Sequence, residues 1–197
     1  MRASTWRRTC RASSTPSPFF RVAAHYGRVP GYGYLLQEGV AAPAADSISI
    51  PGPWLVLRQN EPVEITVVNR IGEHTAVHWH GMELESFYDG IAGWSGAGNR
   101  IAPMIAPRDS FIVRFTPPRA GTFIYHAHIN DVVQIARGLY GALLVVPPDY
   151  REVPGTDHVA IVAFGRLGGK PALLVNGSLT PPPLETTVRR PSPSRWT

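Results

Sequence analysis

The chain has 197 residues, 44% of them hydrophobic, a formal charge of +5 and a pI near 9.8. That size and composition predict one folded domain, with at most a piece of a second, and exclude wholesale disorder. The longest apolar runs are far too short to cross a bilayer as a helix, so no transmembrane segment is expected.

Mapping the charges removes the obvious reading of a basic protein. Residues 29–185 hold all fourteen acidic residues against ten Lys or Arg, about −4 net. Residues 1–28 contribute six Arg and residues 186–197 three more. The basicity thus belongs to two tails with no interleaved aromatic or Gly-rich repeat, and no nucleic-acid partner is expected. One cysteine, Cys10, excludes an intrachain disulfide and any Cys-rich zinc or iron–sulfur site. The opening MRASTWRRTCRASSTPSP has no apolar stretch, so it is not a recognisable export signal, and the Arg7–Arg8 pair lacks the hydrophobic region of a twin-arginine leader.

Residues 1–18 are Arg, Ser, Thr and Pro and read as a disordered basic tail. From Phe19 the texture changes to short apolar runs. FFRVAA, GYGYLLQ and SISI are strand candidates, punctuated by Pro51-Gly52-Pro53, and WLVL follows. In VEITVVN, Val63, Ile65, Val67 and Asn69 alternate with Glu64, Thr66 and Val68, the period of a strand with one buried face. TAVHWHG is the next strand, and 82–107 is mostly loop, with turn signals at Asp89-Gly90 and Gly96-Ala97-Gly98. SFIVRFTP, GTFIYHAH and GLYGALLVV are three more strands, with room for a short helical turn over 131–137. Short strands at roughly ten-residue spacing predict an all-β sandwich or barrel. Pro147-Pro148 closes this unit, 149–157 reads as a linker, and HVAIVAFG and ALLVNG look like two strands of an incomplete second unit over 158–185. Residues 186–197 again have tail composition and are expected to be disordered.

Four of the seven histidines fall into two His-x-His pairs, VHWHG at 77–81 and YHAH at 125–128. On a strand, residues i and i+2 share a face, so His78 and His80 project together, as do His126 and His128. If the two strands neighbour each other, four imidazoles converge. Neutral imidazole suits copper, zinc, iron and nickel. Four buried imidazoles without metal would leave several polar nitrogens seeking partners.

VHWHG, then Asp89-Gly90, then AGTFIYHAH and GLYGALLVV, resembles the first plastocyanin-like (cupredoxin) domain of multicopper oxidases, the laccase family. The likeness covers roughly Pro30 to Pro148, and more weakly the VNG at 175–177, which resembles the opening of the family's second domain. It implies a Greek-key β-sandwich or barrel, placing a cupredoxin-like domain at 19–148 and the start of another at 158–185. It also implies that His78 ligates a type 2 copper, that His80, His126 and His128 ligate type 3 coppers, and that Asp89 helps deliver protons to bound O2. From the residues alone, Asp89 is equally the first residue of an Asp-Gly turn. The family is usually periplasmic or secreted, whereas no export signal is visible here.

The departures from the pattern carry their own expectations. The family's cluster takes eight histidines and this domain supplies four; the others come with a His-Cys-His segment whose cysteine also binds the type 1 copper. Cys10, in an Arg/Ser tail without a histidine beside it, cannot fill that role, and blue-copper chemistry needs the thiolate. The isolated chain is therefore expected to bind copper weakly and not to oxidise a reducing substrate alone. Either it is truncated, the reading favoured by its Arg-rich ends, or it joins a second cupredoxin domain or chain that carries the remaining ligands.

Two rival readings stand beside this one. A cupin-type mononuclear metal enzyme would use His78, His80, Glu85 and His126, with Asn130 four residues after His126. A non-catalytic β-sandwich for binding or assembly would keep half a site as a relic.

Overall fold

The alternation in VEITVVN is realised with its apolar face inward: Ile65 and Val67 are fully buried on β4 (Val63–Asn69). The computed structural model describes residues 19–26, 29–37, 48–151, 159–167, 170–181 and 183, with side chains from residue 31 and not for 165–167. The tails expected at 1–18 and 186–197 lie outside the described residues, as does most of the 149–157 linker.

Two four-stranded sheets enclose the core. One holds β1 (Phe19–Tyr26), β2 (Val29–Gln37), β4 and β8 (Ser110–Phe115), in the order β2-β1-β4-β8. The other holds β3 (Gly52–Arg58), β5 (Val77–His80), β9 (Gly121–Ala127) and β10 (Tyr140–Val146), in the order β3-β10-β9-β5. β1 runs parallel to β4 and β10 parallel to β3, while the remaining pairs in these sheets are antiparallel. This is the expected all-β, cupredoxin-like sandwich. Ile65, Val67, Val113 and Phe115 from the first sheet meet Leu55, Trp79, Phe123, Tyr125 and Leu143 from the second.

The rest is connection. The 82–107 region is mostly loop, with a 3-10 turn at Ser86–Tyr88 and a tiny hairpin of β6 (Gly96–Ala97) and β7 (Arg100–Ile101). Among the described residues one α-helix, α1 (Asp131–Ala136), bridges β9 and β10. Ser47 of SISI lies outside the described residues, and among residues 48–50 Ser49 makes an isolated bridge to Tyr34. Pro51 precedes β3, and Pro53 lies within it on a sheet-edge strand, where a missing N–H is tolerated. The second-unit strands form an antiparallel hairpin, β11 (Val162–Leu167) with β12 (Lys170–Val175). Ile161, just ahead of it, is buried against Tyr140 and Ala142 of β10, with Trp54 and Ala163 packed around them. No helix among the described residues is long and apolar enough to cross a membrane.

Tyr125 fixes the fit between β9 and its neighbours. Its hydroxyl donates to the Pro53 carbonyl at 2.6 Å, and its ring lies over Gly141, its cross-strand partner. A Cβ on Gly141 would sit 2.4 Å from the ring. Gly141→Ala is therefore expected to destabilise the domain by about 1–3 kcal/mol through overpacking. Urea denaturation checks this, and an unchanged midpoint would show that the ring can move.

Candidate metal centre

β5 lies antiparallel beside β9 in a register that pairs His78 with His126, Trp79 with Tyr125, and His80 with Ile124. Period-two alternation then does the sorting. Trp79, Tyr125 and Ala127 point into the sandwich and are essentially inaccessible, whereas the histidines line the opposite face. His128 follows the last residue of β9, but its N–H donates to the Ala76 carbonyl at 3.0 Å and extends the same register by one step. His78 is the hub: the rings of His80, His126 and His128 each lie 5.3 Å from its own. All four histidines expected at the site are brought together.

Two backbone carbonyls set the direction of the ring nitrogens. His78 Nδ1 lies 2.8 Å from the Asp89 carbonyl, and His126 Nδ1 lies 2.9 Å from the Ala127 carbonyl. A carbonyl oxygen only accepts, so each Nδ1 carries the proton and donates it. Each Nε2 is left with a lone pair, the form in which imidazole ligates a metal. His126 Nε2 faces His80 Nδ1 at 3.4 Å. Burial holds the His126 pKa below the ordinary value. Its hydrogen bond to Ala127 opposes that shift, and the neighbouring His78, His80 and His128 reinforce it. Neutral, outward-facing nitrogens on a rigid sheet suit copper or zinc.

Asp89 comes from the loop after β5. Its carboxylate approaches His78 Nδ1 at 3.3 Å, beside the carbonyl contact. The adjoining Gly90 has φ 81°, and a Cβ there would lie 1.7 Å from the Val77 carbonyl oxygen. Only glycine allows the loop to press so close to β5. Ser95 holds the other side: its hydroxyl accepts from the Ile91 N–H at 3.1 Å and donates to Asp89 Oδ2 at 3.2 Å.

Ser95 and Gln134 are the supporting residues that sequence reasoning missed. Gln134 is buried on α1, where it accepts from the Thr75 hydroxyl and donates to the His74 carbonyl, both at 2.8 Å. That stitches the β9–β10 connection to the segment entering β5. A lone amide in the apolar run DVVQIA was the available signal. His74 is exposed and contributes its carbonyl to this stitch. Side chains of His25 and His158, and all of Cys10, lie outside the described residues.

Glu85 corrects the cupin reading. Its carboxylate is ion-paired with Arg100, whose guanidinium also sits 4.0 Å over the Phe87 ring and donates to the Tyr88 hydroxyl at 3.1 Å. Among the described residues the grouped metal-capable side chains are His78, His80 and His126, without Glu85. Asn130 takes a left-handed backbone, φ 47°, at the start of α1.

The lowered His126 pKa has a consequence for the metal-free protein. An unfolded histidine protonates near pH 6.5, whereas the folded one resists. The unfolded state then binds more protons as pH falls, so this contribution is complete above about pH 6.5 and is lost below it. Denaturation of His126→Gln between pH 7.5 and 5 is expected to show a shallower decline than the native sequence. Identical slopes would remove His126 as the cause.

Comparison with known proteins bears on the family. The family model for multicopper oxidase matches residues 46–150. Copper resistance protein A of Escherichia coli is 35% identical over 103 residues, covering 52% of this chain and 15% of the relative. Multicopper oxidase MCE of Talaromyces pinophilus is 36% identical over 131 residues, covering 64% of this chain and 20% of the relative. The crystal structure of a multi-copper oxidase from Pseudomonas thermotolerans superimposes with a TM-score of 0.57 at 24% identity, covering 84% of this chain and 36% of that one, a likeness of fold. The chain thus spans a fifth or less of the length of these two curated relatives. Because the family match takes in more than half of its residues, the chain belongs to the multicopper oxidase family.

Proposed function

We propose that this chain is a copper-holding domain that supplies four of the eight histidines of a three-copper cluster reducing O2 to water. The observation that carries this reading is the set of four imidazoles gathered around His78, two of them with Nε2 freed by backbone carbonyls. His78 would hold the type 2 copper, and His80, His126 and His128 the type 3 pair. The coppers, when bound, would supply the electrons that O2 takes up.

The chain's own residues would do the rest. The Asp89 and Ala127 carbonyls keep two ligands in the correct tautomer. The Asp89 carboxylate, anchored by Ser95 beside His78, would hold a proton at Oδ1 and help deliver it to bound oxygen. Trp79 and Tyr125 act from behind, as packing that keeps the strand pair rigid. In this reading 19–148 is the cupredoxin-like domain, 149–157 a linker and 158–185 the beginning of a second. A second cupredoxin domain or chain would supply the remaining ligands and the path to a reducing substrate.

A type 1 copper centre needs a cysteine thiolate with two imidazoles, and the single Cys10 has no histidine beside it. The protein alone is therefore expected to take up copper without a blue band near about 600 nm, the signature of such a thiolate centre, and without oxidase turnover. Copper at a hundredfold excess over its dissociation constant should stabilise the fold by about 2.7 kcal/mol. Metal analysis after dialysis, thermal denaturation with copper, and oxygen consumption check the three points together. A blue band with turnover would contradict the incomplete site, and an unmoved melting temperature would favour a non-catalytic sandwich.

A further inference from the structure

Phe164, Val162 and Leu173 are 79%, 62% and 52% exposed, and all three lie on the β11–β12 hairpin. The register opposes Phe164 to Leu173 and Val162 to Val175. Cross-strand partners share a face and alternate residues return to it, so these four form one apolar patch on a single side of the hairpin.

The other side is already used. Ala163, opposed to Leu174, packs with Ile161 against Tyr140 and Ala142 of β10, and Leu174 is buried. Asn176 clamps the base: its side-chain carbonyl accepts from the Ile161 N–H at 2.8 Å, and its backbone N–H donates to the Ile161 carbonyl at 2.9 Å. The hairpin is thus pinned to the sandwich by one face and presents the other to solvent. Among the described residues neither of its strands pairs with a third. A two-stranded sheet with an uncovered apolar face is marginal in water and gains by packing against another sheet.

We propose that this face is a self-association surface, packed in solution against the same face of a second copy of this chain across a two-fold axis. Two features select a second copy. A two-fold contact sets a patch against itself, which like charges would oppose, and Val162, Phe164, Leu173 and Val175 carry none. An axis running along the strands also seats each Phe164 on the second copy's Leu173, and each Val162 on its Val175, so ring meets aliphatic chain throughout. An aromatic side chain buries about 150–250 Å². With its aliphatic neighbours, Phe164 offers an apolar centre of roughly 300 Å² a side, well short of the about 800 Å² per partner of a standard interface. The dimer is therefore weak and reversible. The contact uses no metal ligand, so dimerisation and copper uptake stand or fall separately.

Sedimentation velocity of the whole, metal-free chain at rising concentration tests this. A monomer–dimer equilibrium that stops at the dimer and is indifferent to a chelator is expected. Phe164→Ser and Leu173→Ser should each weaken dimerisation by at least about tenfold, the effect of losing an interface anchor. Both side chains are exposed, so each variant should keep the native urea midpoint. Trp94→Ser removes a ring that is 85% exposed on the 82–107 loop and should leave the equilibrium unchanged. A monomer at every concentration, assembly continuing past the dimer, or association lost in Trp94→Ser and kept in Phe164→Ser would overturn the proposal.

Discussion

The pairing of β5 with β9 is the contact on which the remainder of the site hangs, and its register is enforced from the side away from the histidines. Trp79 and Tyr125 face each other across the pair, with ring centroids 6.1 Å apart, and both are buried between the sheets. Removing such a ring from a core costs about 3–5 kcal/mol. A slip of one strand by a single residue would turn its aromatic out and its imidazoles in. Core packing therefore selects the one register that gathers the histidines on a common face. The cluster thus takes its strand register from hydrophobic burial.

Around that pair, the polar groups are arranged so that imidazole nitrogens point outward with their lone pairs available. One of the two carbonyls responsible belongs to β9 itself, the other to a loop more than ten residues away from His78. That loop reaches His78 because Gly90 permits contact with the Val77 carbonyl, because Ser95 ties it back on itself, and because Arg100 anchors its base on Glu85 and Phe87. Gln134 performs the matching task at the other end of the strand pair, where His128 leaves the ladder. Ligands carried by strands and braced by such partners are held more tightly than ligands on loops.

Much of this was legible in the residues. Alternation in VEITVVN, VHWH and GTFIYHA specifies which side chains share a face, because the strand period is two and independent of tertiary context. The short helix over 131–137 was also visible. What could not be read locally is anything that depends on the partner strand or on a distant loop. The tautomers of His78 and His126 are chosen by carbonyls, which leave no trace in composition. Glu85 has a plausible ligand spacing, and only its pairing with Arg100 shows it engaged elsewhere. SISI has strand composition, yet what pairs among its described residues is Ser49, in an isolated bridge. Ile161 reads as part of a separate unit, whereas its side chain is buried against β10.

The central claim is the register, and cross-strand proton contacts measured by NMR on the metal-free protein test it most directly. The backbone of His78 should show contacts to that of His126, and Trp79 to Tyr125, with Ala76 opposite His128. Contacts that pair His78 with Tyr125 or with Ala127 instead would place the two histidine pairs on opposite faces of the sheet, and the account would fail.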